Sequence, residues 1–186
     1  MKLSYRRLTP DSPDLSFTKV LFERAFPAVE RPPFRILIGW EKNELYEISS
    51  DGEPVGLIDL LTEGDLTYIF FLAIAGKKRN LGIGSKVLQE ILEKEAKKGH
   101  RVYLLAEEPE PHYEDYPLRQ RRIGFYERNG FILTGIRICE YEVYYRLLKA
   151  GPYKVTGQEF LSSMKYVMGE KNYQRYYTHH VSVEEE

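Results

Sequence analysis

Apolar positions change their period along this chain, and the changes mark out its elements. Residues 2–8 alternate as a half-buried strand does. Residues 14–26 carry Val20, Leu21, Phe22, Ala25 and Phe26 at helical spacing, and Pro27 stops that helix. Arg31-Pro32-Pro33-Phe34 starts a second helix, since proline is tolerated in a first turn, and the pattern carries it to about residue 42. Residues 45–49 and 54–61 read as strands flanking the turn signal Ser50-Asp51-Gly52-Glu53. A further turn at Gly64-Asp65 precedes a strand that ends at Ile74. The next helix has Ile83, Val87, Leu88, Ile91 and Leu92 on one face and stops at Lys97-Lys98-Gly99.

Beyond it, residues 102–106 predict a buried strand, and residues 107–117 a long, acidic, proline-punctuated connection. Residues 118–129 predict a helix, 131–138 and 142–148 two strands, and Gly151-Pro152 a break. An extra helix over 156–168 opens on a Thr156-x-x-Glu159 capping box, and a mobile tail is expected from Glu170. The resulting division is a domain over 1–150 and a C-terminal helical extension and tail over 151–186.

Arg79-Asn80-Leu81-Gly82-Ile83-Gly84-Ser85 lies between the strand ending at Ile74 and an amphipathic helix. Glycines there let a backbone come close to a ligand, and the first amides of a helix are unpaired donors at its positive end. Strand, tight turn and helix start together make a pyrophosphate cradle. Two better-known phosphate loops fail on the letters. The dinucleotide fingerprint would need glycine at Val87, and a Walker loop would need Gly76 and Gly82 one residue closer, with lysine at Ile83.

What remains is [QR]-x-x-G-x-G, with Arg79, Gly82 and Gly84 in register. It resembles the coenzyme A pyrophosphate loop of the GNAT superfamily of N-acyltransferases. Further on, Phe125-Tyr126-Glu127-Arg128-Asn129-Gly130-Phe131 resembles the F-Y-E-x-x-G-F signature of that superfamily's last core helix and strand. The order β-α-α-β-β-β-α-β-α-β-β is also the GNAT order. The resemblance implies an α/β fold, with a mixed central sheet whose middle strands splay, flanking helices and here a short C-terminal helix. Pantetheine would lie in the splay, between the strand ending at Ile74 and the strand ending at Ala106.

The resemblance further implies an N-acetyltransferase that uses acetyl-CoA as co-substrate, with no metal. Cofactor binding would fall to Leu72, Ala73 and Ile74 along pantetheine, and to Arg79, Asn80, Leu81, Gly82, Ile83, Gly84 and Ser85 around the pyrophosphate. A main-chain amide of the strand would face the thioester oxygen. Tyr126 matches the tyrosine that lies near the cofactor sulfur in many members and is the candidate general acid; core packing is its plain alternative. Arg119, Arg122 and Tyr126 share one helix stripe, and two arginines on a core stripe would be costly, so the stripe is expected to open on the cleft or solvent. Many relatives carry asparagine where Arg119 stands, and that asparagine's cofactor contact is not carried over. Some members place a glutamate on the strand before the glycine loop, where this chain has Tyr68. Glu107 is therefore the candidate general base, with a water chain as the alternative.

Composition narrows the partners. A content of 42% hydrophobic and 30% charged residues is that of a globular chain, and the longest apolar run is far too short for a bilayer. A net charge of −1 gives no electrostatic case for nucleic acid. One cysteine, Cys139, excludes an internal disulfide and suits a cytoplasmic protein; residues 1–7 lack the apolar core of a signal peptide. The four histidines lack metal spacing, and with fifteen tyrosines no single one is marked as catalytic by identity alone. Residues 107–116 hold five carboxylates, His112 and two tyrosines, which would attract a cationic amine at the mouth of the cleft or simply solubilise a loop. The expected acceptor is thus a small cationic amine, attacked directly. A protein N-terminus or lysine as acceptor, a non-catalytic acyl-CoA-binding module and a structural dimerisation domain are the alternatives. A homodimer is compatible with the sequence.

Overall fold

The computed structural model describes residues 1–185, and its centre is a mixed eight-stranded sheet in the order β1-β2-β3-β4-β5-β7-β6-β8. The strands are β1 (Leu3–Arg7), β2 (Asn43–Ser50), β3 (Glu53–Glu63), β4 (Leu66–Ile74), β5 (Arg101–Glu107), β6 (Phe131–Glu140), β7 (Val143–Ala150) and β8 (Val181–Glu185). The helices are α1 (Ser16–Ala25), α2 (Phe34–Leu37), α3 (Ile83–Lys97), α4 (Tyr116–Arg128), α5 (Gly157–Met168) and α6 (Glu170–Tyr176). The α/β architecture expected from the sequence is present. The capping box is made as well: Thr156 accepts from the Glu159 amide while Glu159 accepts from the Thr156 amide.

β3 is buried on both faces from Val55 to Leu61, a stretch that is apolar except for Asp59. Ile58 and Leu60 pack with Val87, Leu88, Ile123 and Tyr126 beneath α3 and α4. On the opposite face Leu57 packs with Phe22, Phe34 and Phe71, and Leu61 with Tyr68, Tyr103 and Phe160. That second face is therefore covered by α1 and α2 at one end and by α5 and α6 at the other.

Two features of β4 make the site. It pairs with β5 in parallel only from Leu66↔Arg101 to Ile69↔Leu104, after which β5 keeps β7 as its partner and the two middle strands part. Opposite β3, the register jumps from Ile69↔Leu60 to Phe71↔Asp59, so Phe70 is an extra residue in the ladder. A bulge of this kind re-aims side chains. Here it brings the Phe70 and Phe71 rings within 4.4 Å of each other.

Two local expectations fail for tertiary reasons. The second helix is a single turn, Phe34–Leu37, preceded by a 3-10 turn at Ala28–Glu30. Trp40 leaves the helical path to stack on Phe70 at 6.1 Å, and β2 starts at Asn43. The segment after Glu170 is no loose tail. It forms α6, which buries Tyr173, and β8, which pairs with β6 from Ile136↔Glu185 to Glu140↔Val181.

Candidate active site

A cavity of about 680 Å³ fills the space where β4 and β5 part. Its floor includes Tyr68–Ile74 of β4 and Leu105, Ala106 and Glu107 of β5. Past Ile69 the β4 edge has lost its strand partner, so its backbone donors and acceptors are turned to the cavity.

At one end the wall is the loop into α3. Arg79, Asn80, Gly82, Ile83, Gly84 and Ser85 line it, and Leu81 is exposed beside them. Gly82 sits at φ 75°, a left-handed conformation in which side chains strain, and a Cβ there would meet no protein atom within 4 Å. Its open side is what a close-lying ligand needs. Asn80 is left-handed too, at φ 62°, and its side-chain carbonyl accepts from Arg121 Nη2 at 2.6 Å. Arg79 turns back to donate from Nε to the Ile74 carbonyl at 3.0 Å. Gly84 has a different reason to be glycine: a Cβ would come within 3.1 Å of the Phe125 ring, so this position lets α3 and α4 close on each other. Lys78, Arg121, Arg122 and Arg128 complete a positively charged rim.

α4 supplies the opposite wall. Of the predicted stripe, Arg122 and Tyr126 face the cavity and Arg119 does not. Arg119 donates to Asp115 Oδ1 at 2.7 Å, lies 3.9 Å over the Tyr113 ring and donates to the Glu108 carbonyl at 3.2 Å. It pins the connection before α4 rather than touching the cleft. Tyr126 is 9% exposed, and burial raises its pKa, with the Arg122 charge opposing. The phenol therefore keeps its proton at neutral pH.

The carboxylates are arranged differently from the sequence expectation. Glu107 does line the cavity, but it is buried in an ion pair with Arg122. Glu108 pairs with Arg137 at 2.7 Å and with Arg146 at 3.6 Å. With Asp115 bound to Arg119, three of the five acidic side chains of the connection already have arginine partners. The acidic residues that line the cavity are Glu107 of that connection, already paired, and two from elsewhere in the chain, Glu30 and Glu140.

Glu30 and Glu140 escaped the sequence reading. Glu30 sits on the 3-10 turn before α2 and accepts from Tyr145 Oη at 3.1 Å. Burial raises its pKa, opposed by the Tyr145 hydrogen bond and by the Arg122 and Arg119 charges. Glu140 ends β6 and accepts a hydrogen bond from the Tyr177 hydroxyl. Its carboxyl lies deep among protein atoms, yet the residue keeps partial exposure because the cleft reaches it. Burial pushes it up to about 7; Tyr177 opposes the shift and Glu30 adds to it. Tyr141 and Glu142, at φ 48° and 68°, form the two-residue turn after it, a turn type usually written with Asn-Gly. Without those letters Glu140 reads as part of a polar loop rather than as a strand end beside a cavity.

Among the described residues, no group of three or more His, Cys, Asp or Glu converges as metal ligands do, and no helix is long and apolar enough to cross a membrane.

No curated protein matches the chain. Several solved structures share its fold. A Bacteroides thetaiotaomicron protein described as a GNAT-family acetyltransferase has a TM-score of 0.68 at 21% identity, covering 87% of this chain and 94% of that one. A GNAT acetyltransferase from Elizabethkingia anophelis, solved with acetyl-CoA bound, has a TM-score of 0.58 at 18% identity over 81% and 98% of the two chains. The ribosomal-protein-S18-alanine N-acetyltransferase of Escherichia coli has a TM-score of 0.58 at 16% identity over 84% and 97%. In sequence, the profile of the acetyltransferase (GNAT) domain matches residues 41–133, half of the chain. That span carries the splayed strands, the glycine loop and the α4 tyrosine, and the chain belongs to the GNAT acetyltransferase family.

Proposed function

We propose that the protein transfers an acetyl group from acetyl-CoA to the primary amine of a small cationic molecule, by direct attack and without a covalent enzyme intermediate. One observation carries the reading: a single cavity joins an anion cradle to a carboxylate-lined, aromatic end. The first-turn amides of α3, the open face of Gly82 and the basic rim fit a pyrophosphate. The Elizabethkingia protein of the same fold holds acetyl-CoA. When bound, that molecule supplies an acyl group activated as a thioester.

The chain's own residues do the rest. Leu72, Ala73 and Ile74 line the cavity floor on the β4 segment that has no β5 partner, and a main-chain amide there would polarise a carbonyl oxygen. Tyr126 holds a proton for a leaving thiolate, and Arg122 beside it eases the charge left on the phenol. Glu107 anchors Arg122. Cys139 is not among the cavity-lining residues, which supports direct transfer. At the far end, Glu30 and Glu140 beside Tyr68, Phe26, Phe70 and Tyr145 suit a positively charged amine with an apolar body. In this reading residues 1–150 are the catalytic domain and 151–186 an extension that supports it, and the lone cysteine fits work in the cytoplasm.

The test is release of CoA thiol across a panel of mono-, di- and polyamines, with aminoacyl peptides alongside. Turnover confined to cationic small amines is expected. CoA binding with no turnover of any amine would sink the reading in favour of a sensing module, and turnover of peptides alone would move the acceptor to proteins.

A further inference from the structure

Three carboxylates face the cavity, and their partners separate their roles. Glu107 is paired with Arg122, so taking up a proton would break the ion pair that this buried carboxylate makes with an exposed arginine. Burial raises the proton affinity of Glu30, but there the Tyr145 hydrogen bond and the Arg122 and Arg119 charges oppose the shift. Glu140 is different. Apart from burial, the groups acting on it are the Tyr177 hydroxyl, which donates to it, and the Glu30 carboxylate, which repels its charge. Its own charge in turn raises the phenols Tyr68, Tyr103, Tyr141 and Tyr145, and no arginine opposes its shift.

From this geometry we infer that Glu140 takes the proton from the acceptor's ammonium group, and that Tyr177, from the segment between α6 and β8, is the residue that positions it. The inference rests on the proposed amine acetylation and deepens it. In the step, one N–H bond of the ammonium breaks and one O–H bond forms on Glu140. The amine keeps the electron pair as its nucleophilic lone pair, and Glu140 later returns the proton to water through the cleft.

Three properties equip Glu140 for this. It borders the cavity, so a substrate nitrogen can reach it. Burial brings its proton affinity to about 7, where a base is both free to accept and strong enough to do so near neutral pH. Its Tyr177 hydrogen bond fixes one oxygen. Tyr177 is itself 3% exposed, its ring tilted against Tyr173 at 5.4 Å within the cluster against which Val181 and Val183 of β8 pack. Both Glu140 and Tyr177 lie beyond residues 41–133, the span that the family profile matches.

The experiment compares Glu140→Gln, Tyr177→Phe and wild type on an amine that wild type acetylates. Glu140→Gln should lower kcat/KM for the amine about 10²-fold or more at pH 7. The deficit should shrink as pH rises towards the amine's own pKa, because solvent then does the deprotonation. CoA affinity by calorimetry should not change. Tyr177→Phe should lose less activity and move the ascending limb of the pH profile upward, since its hydrogen bond favours the carboxylate. Wild-type kcat/KM in Glu140→Gln at pH 7, or a deficit constant across pH, overturns the assignment. Carboxyl-carbon NMR of the protein without substrate gives an independent reading. A Glu140 midpoint near 7 that rises in Tyr177→Phe supports the inference; a midpoint in the usual carboxylate range overturns it, whether or not any amine is turned over.

Discussion

The two ends of the cleft are built on opposite plans. The glycine-loop end is contiguous: one strand, one turn and the first turn of α3, from Leu72 to Ser85, with backbone groups as the proposed working parts. The proposed acceptor end is a mosaic of Glu30 before α2, Tyr68 on β4, Glu140 on β6, Tyr145 on β7 and Tyr177 after α6, with buried and half-buried side chains as its parts. A main-chain site depends on conformation, so its constraint is glycine at a left-handed position. A side-chain site depends on desolvation and pairing, so its constraint is the set of neighbours that shift a proton affinity. The ends should therefore break in different ways.

The largest effect is expected at Gly82. Gly82→Val forces a β-branched residue into φ 75° and fills the open side of the cradle. CoA affinity measured by calorimetry should fall about 100-fold or more, a loss of roughly 2.7 kcal/mol. An unchanged Kd in a folded variant would remove the loop from the site. Gly84→Val is a poorer probe, because it also drives into Phe125 and lowers stability.

Next comes Tyr126→Phe, which deletes a hydroxyl and little else. A drop in kcat of about 10²-fold with CoA affinity kept is the expected result. Near-normal turnover would make Tyr126 a packing residue and leave protonation to water.

A smaller effect separates two sources of negative charge. Glu30→Gln should raise KM for a dicationic amine about fivefold while leaving KM for acetyl-CoA alone, since Glu30 borders the cavity. Neutralising Glu110 and Glu114 together should change the amine KM less than twofold, because residues 108–117 do not line the cavity. A loop effect as large as the Glu30 effect at low salt would restore the acidic connection as the steering element.

The mildest prediction concerns stability away from the chemistry. Asp59 is fully buried in β3 with Asn43 donating to both carboxylate oxygens, and burial pushes it up to about 7. A folded pKa above the unfolded value means its contribution is fully present below about pH 4 and is lost as pH rises through about 7. Thermal unfolding should accordingly show a lower Tm at pH 8 than at pH 5, and Asp59→Asn should flatten that slope by a few degrees. A slope unaltered in the variant would assign it to other groups, Glu140 first among them.

Most of the fold was readable because its signals are local. Alternation around Ser50-Asp51-Gly52-Glu53 predicts the β2–β3 hairpin, and Thr156 with Glu159 predicts the start of α5. The order of elements and two short motifs were enough to point to the family that the domain profile then matched. Errors fell where tertiary contacts overrode local preference. Trp40 stacking on Phe70 cut α2 short, and pairing with β6 turned the polar, acidic C-terminus into β8.

By itself the sequence determined that a glycine-bearing turn leads from β4 into α3, because strand, turn and helix start are properties of consecutive residues. It also determined that Tyr126 and Arg122 share a helix face, because helical spacing is fixed by the backbone. Only the tertiary structure decided which carboxylates have partners. Glu107 and Glu108 look alike and adjacent in sequence, yet one pairs with Arg122 of α4 and the other with Arg137 of β6. Glu140 looks like a turn residue until β7 and the segment after α6 close over it. A charge's reactivity depends on the water and partners that folding takes from it or supplies, and those come from residues far away along the chain.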